Sequence, residues 1–126
     1  MSHSYRDLVV WQEAKALAIR VYAVSERFPK HEMYGLTSQV RRAGISVVSN
    51  IAEGQGRLSK GEFVQVLGHA RGSLLEVLTQ LEIAVELKYL SASDFQSIEE
   101  SASGVLRLLN GLLGSIRAQS KAASGV

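Results

Sequence analysis

The longest regular pattern in the sequence is a row of apolar residues at alternating steps of four and three, running from residue 63 to residue 84. Its members are Phe63, Leu67, Ala70, Leu74, Val77, Leu81 and Ala84. This spacing places every member on one face of an α-helix, whereas a half-buried strand requires alternation. The 126 residues include a single proline, Pro29, so long helices meet little interruption. Both features argue against a β-sandwich or barrel.

Three further stretches carry apolar rows of the same kind. Their members are Val10, Ala14, Leu17, Val21, Val24 and Phe28; Leu36, Val40, Ala43, Val47 and Ile51; and Phe95, Ile98, Ala102, Val105, Leu109, Leu112 and Ile116. Between the rows lie helix-ending signals, Pro29 and the pair Gly54 and Gly56. Ser59 and Ser91 each stand three residues before an acidic residue, which is typical of a helix N-terminus. The sequence therefore predicts four helices, over about residues 7–27, 35–53, 60–89 and 92–118.

The connections between the predicted helices are short, so consecutive helices must run antiparallel. The expected fold is all-α, an antiparallel up-down-up-down four-helix bundle that forms a single domain over residues 1–126. Residues 120–126 are small and polar, and we expect this tail to fray.

The charge distribution and the hydropathy of the sequence bear on its partners and its location in the cell. The formal net charge is +2, but residues 1–61 hold nine Lys and Arg against five Asp and Glu, so an anionic partner should favour the N-terminal half. No apolar run approaches the roughly 20 residues of a membrane span, and no signal peptide is visible. We expect a cytoplasmic protein without membrane contact.

The helices carry more apolar surface than one four-helix core can cover. The additional residues are Leu8, Trp11, Ile19 and Tyr22 on the first helix, and Gly68, Gly72, Leu75, Thr79 and Ile83 on the third. Glycine inside a helix costs about 1 kcal/mol relative to alanine, so Gly68 and Gly72 suggest the close approach of another backbone. Single exposed apolar residues are ordinary, but contiguous ones favour an interface. We expect a homo-oligomer.

A polar row flanks the apolar row on the second and third helices. Its members are Gln39, Arg42, Ser46, Asn50 and Glu53, and then His69, Ser73, Glu76 and Gln80. Antiparallel pairing around the 54–59 loop predicts three neighbouring pairs: Ser46 with His69, Arg42 with Ser73, and Gln39 with Glu76. The favoured interpretation is a structural hydrogen-bonded layer that fixes helix register. The alternative is a Ser/His/Glu acyl-transfer site within these rows, for which mid-helix backbone amides offer no oxyanion hole.

Other catalytic signatures are missing from the sequence. Carboxylate-bridged metal sites in helical bundles use Glu-x-x-His, and none of His3, His31 and His69 has a Glu three residues before it. We expect no metal, no cofactor and no enzymatic activity.

Five basic residues concentrate on the second helix, the loop after it and the start of the third. They are Arg41, Arg42, Arg57, Lys60 and Arg71. Surface Lys and Arg are usually only solvated, but a basic group repeated around a ring oligomer would form a band able to neutralise RNA or DNA phosphates. These five residues are the candidate nucleic-acid contacts.

Several short motifs between residues 5 and 90 resemble a known family. They are Asp7-Leu8-x-Val10-Trp11, Phe28-Pro29, Tyr34-Gly35-Leu36-Thr37-x-Gln39-x-Arg41-Arg42-Ala43, Ser46-x-x-x-Asn50-Ile51-Ala52-Glu53-Gly54 and Gly72-Ser73-Leu74-x-Glu76. The chain resembles the four-helix bundle protein family, also called 23S ribosomal RNA intervening-sequence proteins. Accessory variability proteins of diversity-generating retroelements are similar to that family. Val48 stands where the family usually has proline, so we expect a straighter second helix.

The resemblance implies a ring-like homo-oligomer, a pentamer, with no known enzymatic activity. Family members can be encoded within insertions in ribosomal RNA genes, and the retroelement relatives bind a reverse transcriptase and nucleic acid through basic surfaces. The expected function is therefore a non-enzymatic oligomeric adaptor that associates with RNA or DNA. The alternative is a scaffold or accessory subunit that binds a protein partner and contacts no nucleic acid.

Overall fold

A computed structural model describes residues 4–56 and 59–123 of the chain, with side chains as far as residue 119. Over these residues the chain forms four α-helices and no strand: α1 (Val9–Ser25), α2 (Leu36–Gln55), α3 (Lys60–Glu86) and α4 (Ala92–Ala123). Short 3-10 turns occupy Tyr5–Asp7 and Lys30–Glu32. The predicted all-α class is confirmed.

The helices pack as an antiparallel bundle in which each helix contacts the next along the chain and α4 returns to contact α1. The contact between α2 and α3 is the most extensive of the four. This arrangement confirms the predicted four-helix bundle. It also gives every helix one face toward a shared core and one face toward the surroundings.

The core contains the apolar rows read from the sequence. Its fully buried side chains include Leu17, Val21, Val40, Val47, Ile51, Leu67, Leu74, Val77, Leu81, Ile98, Val105 and Leu109. Three members of the rows, Val24, Leu36 and Phe63, are only partly buried and pack against the outside of this core. On α4 the buried residue is Leu113 rather than the expected Leu112, since the row takes a step of four after Leu109.

Several helix ends differ from the predicted bounds by one to five residues. The first helix begins at Val9, after a 3-10 turn in which the Ser4 side chain accepts a hydrogen bond from the Arg6 amide. α3 ends at Glu86 because Lys88 adopts a left-handed backbone conformation with φ of 64°. The Lys88 and Tyr89 amides then donate to the carbonyls of Val85 and Ala84, a common helix termination. α4 continues through residues 120–123, where fraying was expected, and residues 124–126 lie outside the described part.

The start of α2 is held by Glu32. Its Oε1 accepts a hydrogen bond from the Leu36 amide at 3.2 Å, and its Oε2 accepts one from the Tyr89 hydroxyl at 2.9 Å. A Cβ on Gly35 would meet Oε1 at 2.7 Å, so glycine leaves this carboxylate the room to cap the helix. The Leu36 amide is the largest influence that lowers the pKa of Glu32 below 4.5, followed by the Tyr89 hydroxyl. One carboxylate thus ties the α1–α2 connection to the end of α3.

We expect replacement of Glu32 by Gln to lower the free energy of unfolding at neutral pH. A carboxyl group whose folded pKa is depressed stabilises the native state above its unfolded pKa of 4.5, and that stabilisation is lost as the pH falls through the folded value. The difference between the native protein and Glu32→Gln should therefore narrow between neutral pH and about pH 3. Urea unfolding at both pH values measures it, with the exposed Glu99→Gln as control. If the difference in the free energy of unfolding stayed constant with pH, the Glu32 carboxylate would not be the group that stabilises the start of α2.

Candidate functional site

A polar groove runs along the surface between α2 and α3. At its centre the hydroxyl oxygens of Ser46 and Ser73 lie 2.8 Å apart and share a hydrogen bond. The Asn50 amide donates both to the Ser46 hydroxyl at 2.9 Å and to the Ser46 carbonyl at 2.7 Å. These three half-buried residues connect the two helices through side chains that water reaches only in part.

The observed pairing differs from the expected one by about one helical turn. Ser46 meets Ser73, whereas the loop position predicts His69 as its neighbour. Side chains on a helix lean toward its N-terminus, so those on α2 lean away from the connecting loop and those on α3 lean toward it. A residue on α2 therefore contacts a residue further along α3 than the heights of the Cα atoms suggest. Because facing residues recur only every three or four positions, the next available partner is a full turn away.

The predicted polar layer is only partly assembled. Beyond the central trio, Gln39, Arg42 and Glu76 are exposed, and within the described residues Arg42 and Glu76 make no hydrogen bond or ion pair. Gln80 is half-buried, and its Oε1 lies inside without a hydrogen-bond donor. The expected contacts of Arg42 with Ser73 and of Gln39 with Glu76 are therefore not hydrogen bonds in this structure. The two polar rows line an open groove on the surface and do not form a closed layer inside the bundle.

The other end of the groove holds residues from the end of α2 and the start of α3. Asn50, Glu53, Glu62 and His69 line a polar hollow there, and His69 is exposed. The Ser59 hydroxyl accepts from the Glu62 amide and donates to the Glu62 carboxylate at 3.1 Å, as the capping pattern predicts.

The residues of the groove do not form the acyl-transfer site that the sequence left open as an alternative. The Ser73 hydroxyl is engaged with Ser46, and among the described residues His69 makes no hydrogen bond to it. A nucleophilic serine needs a base within hydrogen-bond reach. Throughout the described ranges, no group of three or more His, Cys, Asp or Glu side chains lies close enough to hold a metal ion.

Arg41 makes contacts within the subunit and is not part of a basic surface. Its Nε donates to the buried Ser25 hydroxyl at 2.8 Å, and its terminal nitrogen pairs with Glu26 at 3.2 Å. The guanidinium carbon lies 4.8 Å from the centre of the Tyr22 ring. Only 18% of the Arg41 side chain is exposed. Arg41 fastens α2 to the end of α1, and the sequence could not separate it from its neighbour Arg42.

The remaining basic candidates do not form one continuous patch. Arg42, Lys60 and Arg71 are exposed, whereas Arg57 lies outside the described residues. Arg42 lines the polar groove. Arg71 stands two residues before Ser73, about 200° around α3, and so points to the opposite flank of that helix. A patch built by one subunit therefore contains fewer cations than the sequence suggested.

The outer face of α3 is apolar, as expected from the sequence. Leu75 and Ile83 are 48% and 46% exposed, and Thr79 lies between them. The Thr79 hydroxyl donates to the Leu75 carbonyl of its own helix, which satisfies the hydroxyl. A Cβ added at Gly68 or Gly72 would meet no atom within 4 Å. Packing within the subunit therefore does not require glycine at either position.

A second apolar surface lies in the groove between α1 and α2. Ile19 and Tyr22 are exposed there beside Ile45 and Val48 of α2, around a hollow of about 400 Å³ with Lys15 at its edge. Leu8 and Trp11, which were expected on the same surface, instead pack against the core. The Trp11 ring lies edge-on to Tyr5 at 5.1 Å.

Sequence reasoning missed the contribution of α2 to this surface. Ile45 and Val48 stand three residues apart beside the main apolar row, and that spacing was the available signal.

Comparisons with known proteins place the fold. A family model described as "23S rRNA-intervening sequence protein" matches residues 6–111. The chain is similar to a crystal structure of a protein with unknown function from the S23 ribosomal protein family of Bacteroides thetaiotaomicron. The TM-score is 0.77 at 22% sequence identity, over 83% of this chain and 98% of that chain. No curated protein matches.

Among the described helices, none is long and apolar enough to cross a membrane.

We expect Arg41→Met to lower the free energy of unfolding by about 1.5–3 kcal/mol, because it keeps the apolar stem and removes a charged donor from the buried Ser25 hydroxyl. The neighbouring Arg42→Met, at an exposed site, should change it by less than about 0.5 kcal/mol. Urea unfolding of both variants measures the contrast. Equal effects of the two substitutions would show that Arg41 does not fasten the helices.

Proposed function

Because the chain belongs to the 23S rRNA-intervening sequence protein family, we propose that it is a non-enzymatic, homo-oligomeric helical adaptor whose assembled form contacts RNA or DNA. The observation that carries the assembly is the pair of apolar surfaces left uncovered by the subunit. One is the outer face of α3, which carries Leu75 and Ile83, and the other is the α1–α2 groove around Ile19 and Ile45. Contiguous apolar surface of this kind is typical of interfaces.

The two surfaces differ in shape, which supports a head-to-tail contact. The outer face of α3 is a ridge narrowed by Gly68 and Gly72, where open space at both Cβ positions lets another backbone approach. The α1–α2 surface is a groove edged by Lys15, and the exposed Glu82 stands beside the α3 ridge. Ridge and groove lie on different sides of one subunit, so their contact generates a ring when the rotation closes. We propose a ring of five copies, in line with the family resemblance.

We expect Gly72→Glu to dissociate the assembly without unfolding the subunit. The added side chain meets open space within the subunit, and glutamate favours a helix over glycine by roughly 0.5–1 kcal/mol. In the assembly it would place a charge and bulk against the neighbouring backbone. Analytical ultracentrifugation with circular dichroism measures both properties.

Gly111→Glu on α4 is the matched control, because it is another exposed helical glycine with an open Cβ position. It should leave the assembly intact. A native protein that sedimented as a 13.7 kDa monomer at micromolar concentration would end the proposal.

The nucleic-acid contact rests on two exposed cations of α3, one at its first residue and one near its middle. Lys60 and Arg71 are exposed, and Arg57 precedes them in the chain. Arg41 is withdrawn from this set because its guanidinium is engaged with Ser25 and Glu26. Two or three cations in one subunit bind phosphate weakly, but repetition around a ring multiplies the contacts. The description of the family model, which names 23S rRNA, supports RNA as the first ligand to test.

We expect the native oligomer to bind structured RNA or duplex DNA with an affinity that falls linearly with salt on a log-log plot. The slope should be about −0.7 to −0.9 for each phosphate contact. The double variant Lys60→Ala with Arg71→Ala should flatten this slope. Arg107→Ala with Arg117→Ala removes the same charge from exposed positions on α4 and should leave it unchanged. Fluorescence anisotropy at several salt concentrations measures the slopes, and no binding at about 50 mM salt would refute the nucleic-acid contact.

A protein-binding scaffold is the second candidate function. A hollow of about 600 Å³ opens between α3 and α4, lined by apolar Ile83, Leu87 and Phe95 with Glu82 and Glu86 at its side. Apolar docking of a partner helix in such a hollow would be nearly insensitive to salt. The salt titration therefore separates the two functions.

A further inference from the structure

The α3 ridge can lie in the α1–α2 groove of the next copy in two directions, parallel or antiparallel to α1. Charged side chains stand at the two ends of this groove. Lys15 is at one end, and the ion pair of Glu26 with Arg41 is at the other. Ile19 and Tyr22 lie between them. The eleven positions from Lys15 to Glu26 correspond to about 16 Å along the helix axis.

The α3 ridge also carries opposite charges at its two ends. Arg71 is exposed near the N-terminal end, and Glu82 and Glu86 are exposed at the C-terminal end. The apolar Leu75 and the small Gly72 lie between them. Arg71 and Glu82 are also eleven positions apart, which is three turns and again about 16 Å. The charges on the ridge therefore have the same spacing as those on the groove.

Three of these charges have no partner of opposite sign in the described part of the subunit. The side chains of Lys15, Arg71 and Glu82 form no ion pair and no hydrogen bond there. The Lys15 ammonium lies 5.3 Å from the centre of the Trp11 ring. α1 and α3 stand diagonally in the bundle and make no contact with each other over the described residues. A second copy is therefore needed to bring the charges of one helix to those of the other.

We propose that the α3 ridge docks antiparallel to α1 of the next copy, with Glu82 paired to Lys15. The inference rests on the proposed assembly and adds the direction of its contact. Leu75 stands seven residues before Glu82 on the ridge. Tyr22 stands seven residues after Lys15, so the antiparallel direction brings both apolar side chains to the same height. A parallel ridge held by the same ion pair would carry Leu75 beyond Val9, where α1 begins.

A parallel ridge that did overlap the apolar part of the groove would bring like charges together. Arg71 would then meet Lys15 at one end, and Glu82 would meet Glu26 at the other. Such contacts are costly at an interface. In the antiparallel direction the same two ends join opposite charges. Arg71 stays at the edge of the contact, where its five N–H donors can serve Glu26 and a phosphate together.

An exchange of charges tests this direction on the full chain. Lys15→Glu and Glu82→Lys should each raise the dissociation constant of the assembly at least about tenfold, as measured by analytical ultracentrifugation. The double variant restores opposite charges and should return to within about threefold of the native value. Glu100→Lys makes the same change of charge at an exposed position on α4 and should leave the dissociation constant unchanged. Circular dichroism checks that each variant is folded.

The outcomes separate the proposed direction from the assembly itself. A native chain that stayed monomeric would refute the assembly, and the direction with it. A native assembly that was unchanged by both single substitutions would refute only the pairing of Lys15 with Glu82. Failure of the double variant to recover the native dissociation constant would do the same.

Introduced thiols report the direction without background, because the chain contains no cysteine. A short bifunctional maleimide should link copies that carry Lys15→Cys together with Glu82→Cys into covalent dimers and higher oligomers. The matched pair Lys15→Cys with Arg71→Cys should stay unlinked, because antiparallel docking holds these positions about 16 Å apart along the axis. Linking of the second pair, or of neither pair, would overturn the proposal.

Discussion

The antiparallel packing of α2 against α3 is the contact on which the rest of the structure depends. Val47 and Ile51 of one helix and Leu67 and Leu74 of the other are fully buried in it, and burial of such side chains is the main driving force of folding. Gly54 shows how tight the contact becomes near the loop, because a Cβ there would meet the Phe63 ring at 2.7 Å. Once these residues are buried, the rotation of both helices is set, and so is the side of the bundle that each flanking residue faces.

One consequence is that α3 presents three different surfaces. Its core row holds the bundle together, its flank toward α2 carries the half-buried Ser73, and its outer face carries Leu75 and Ile83. These faces are separated by roughly 100° steps around the helix, so adjacent residues serve different surfaces. The proposed assembly uses the outer face, whereas the flank toward α2 lines the polar groove.

Neighbouring residues of the same type take opposite roles for the same reason. Arg41 turns toward α1 and is engaged by Ser25 and Glu26, whereas Arg42 turns toward α3 and is exposed. The glycines divide in the same way. Gly54 sits where another side chain presses on it, while Gly72 faces open space. Residue type alone carries neither distinction, because the environment comes from helices distant in sequence.

The sequence by itself determined the number of helices, their approximate ends and most of the core, because these follow from local periodicity and from capping residues such as Ser59. The apolar outer face of α3 was also predicted from the sequence. Only the tertiary structure decided that Ser46 pairs with Ser73 and that the Gln80 Oε1 is buried without a donor. Those facts depend on how far one helix is displaced along another. A displacement of one turn preserves the apolar pattern, so the pattern cannot specify it, whereas the packing of particular side chains can.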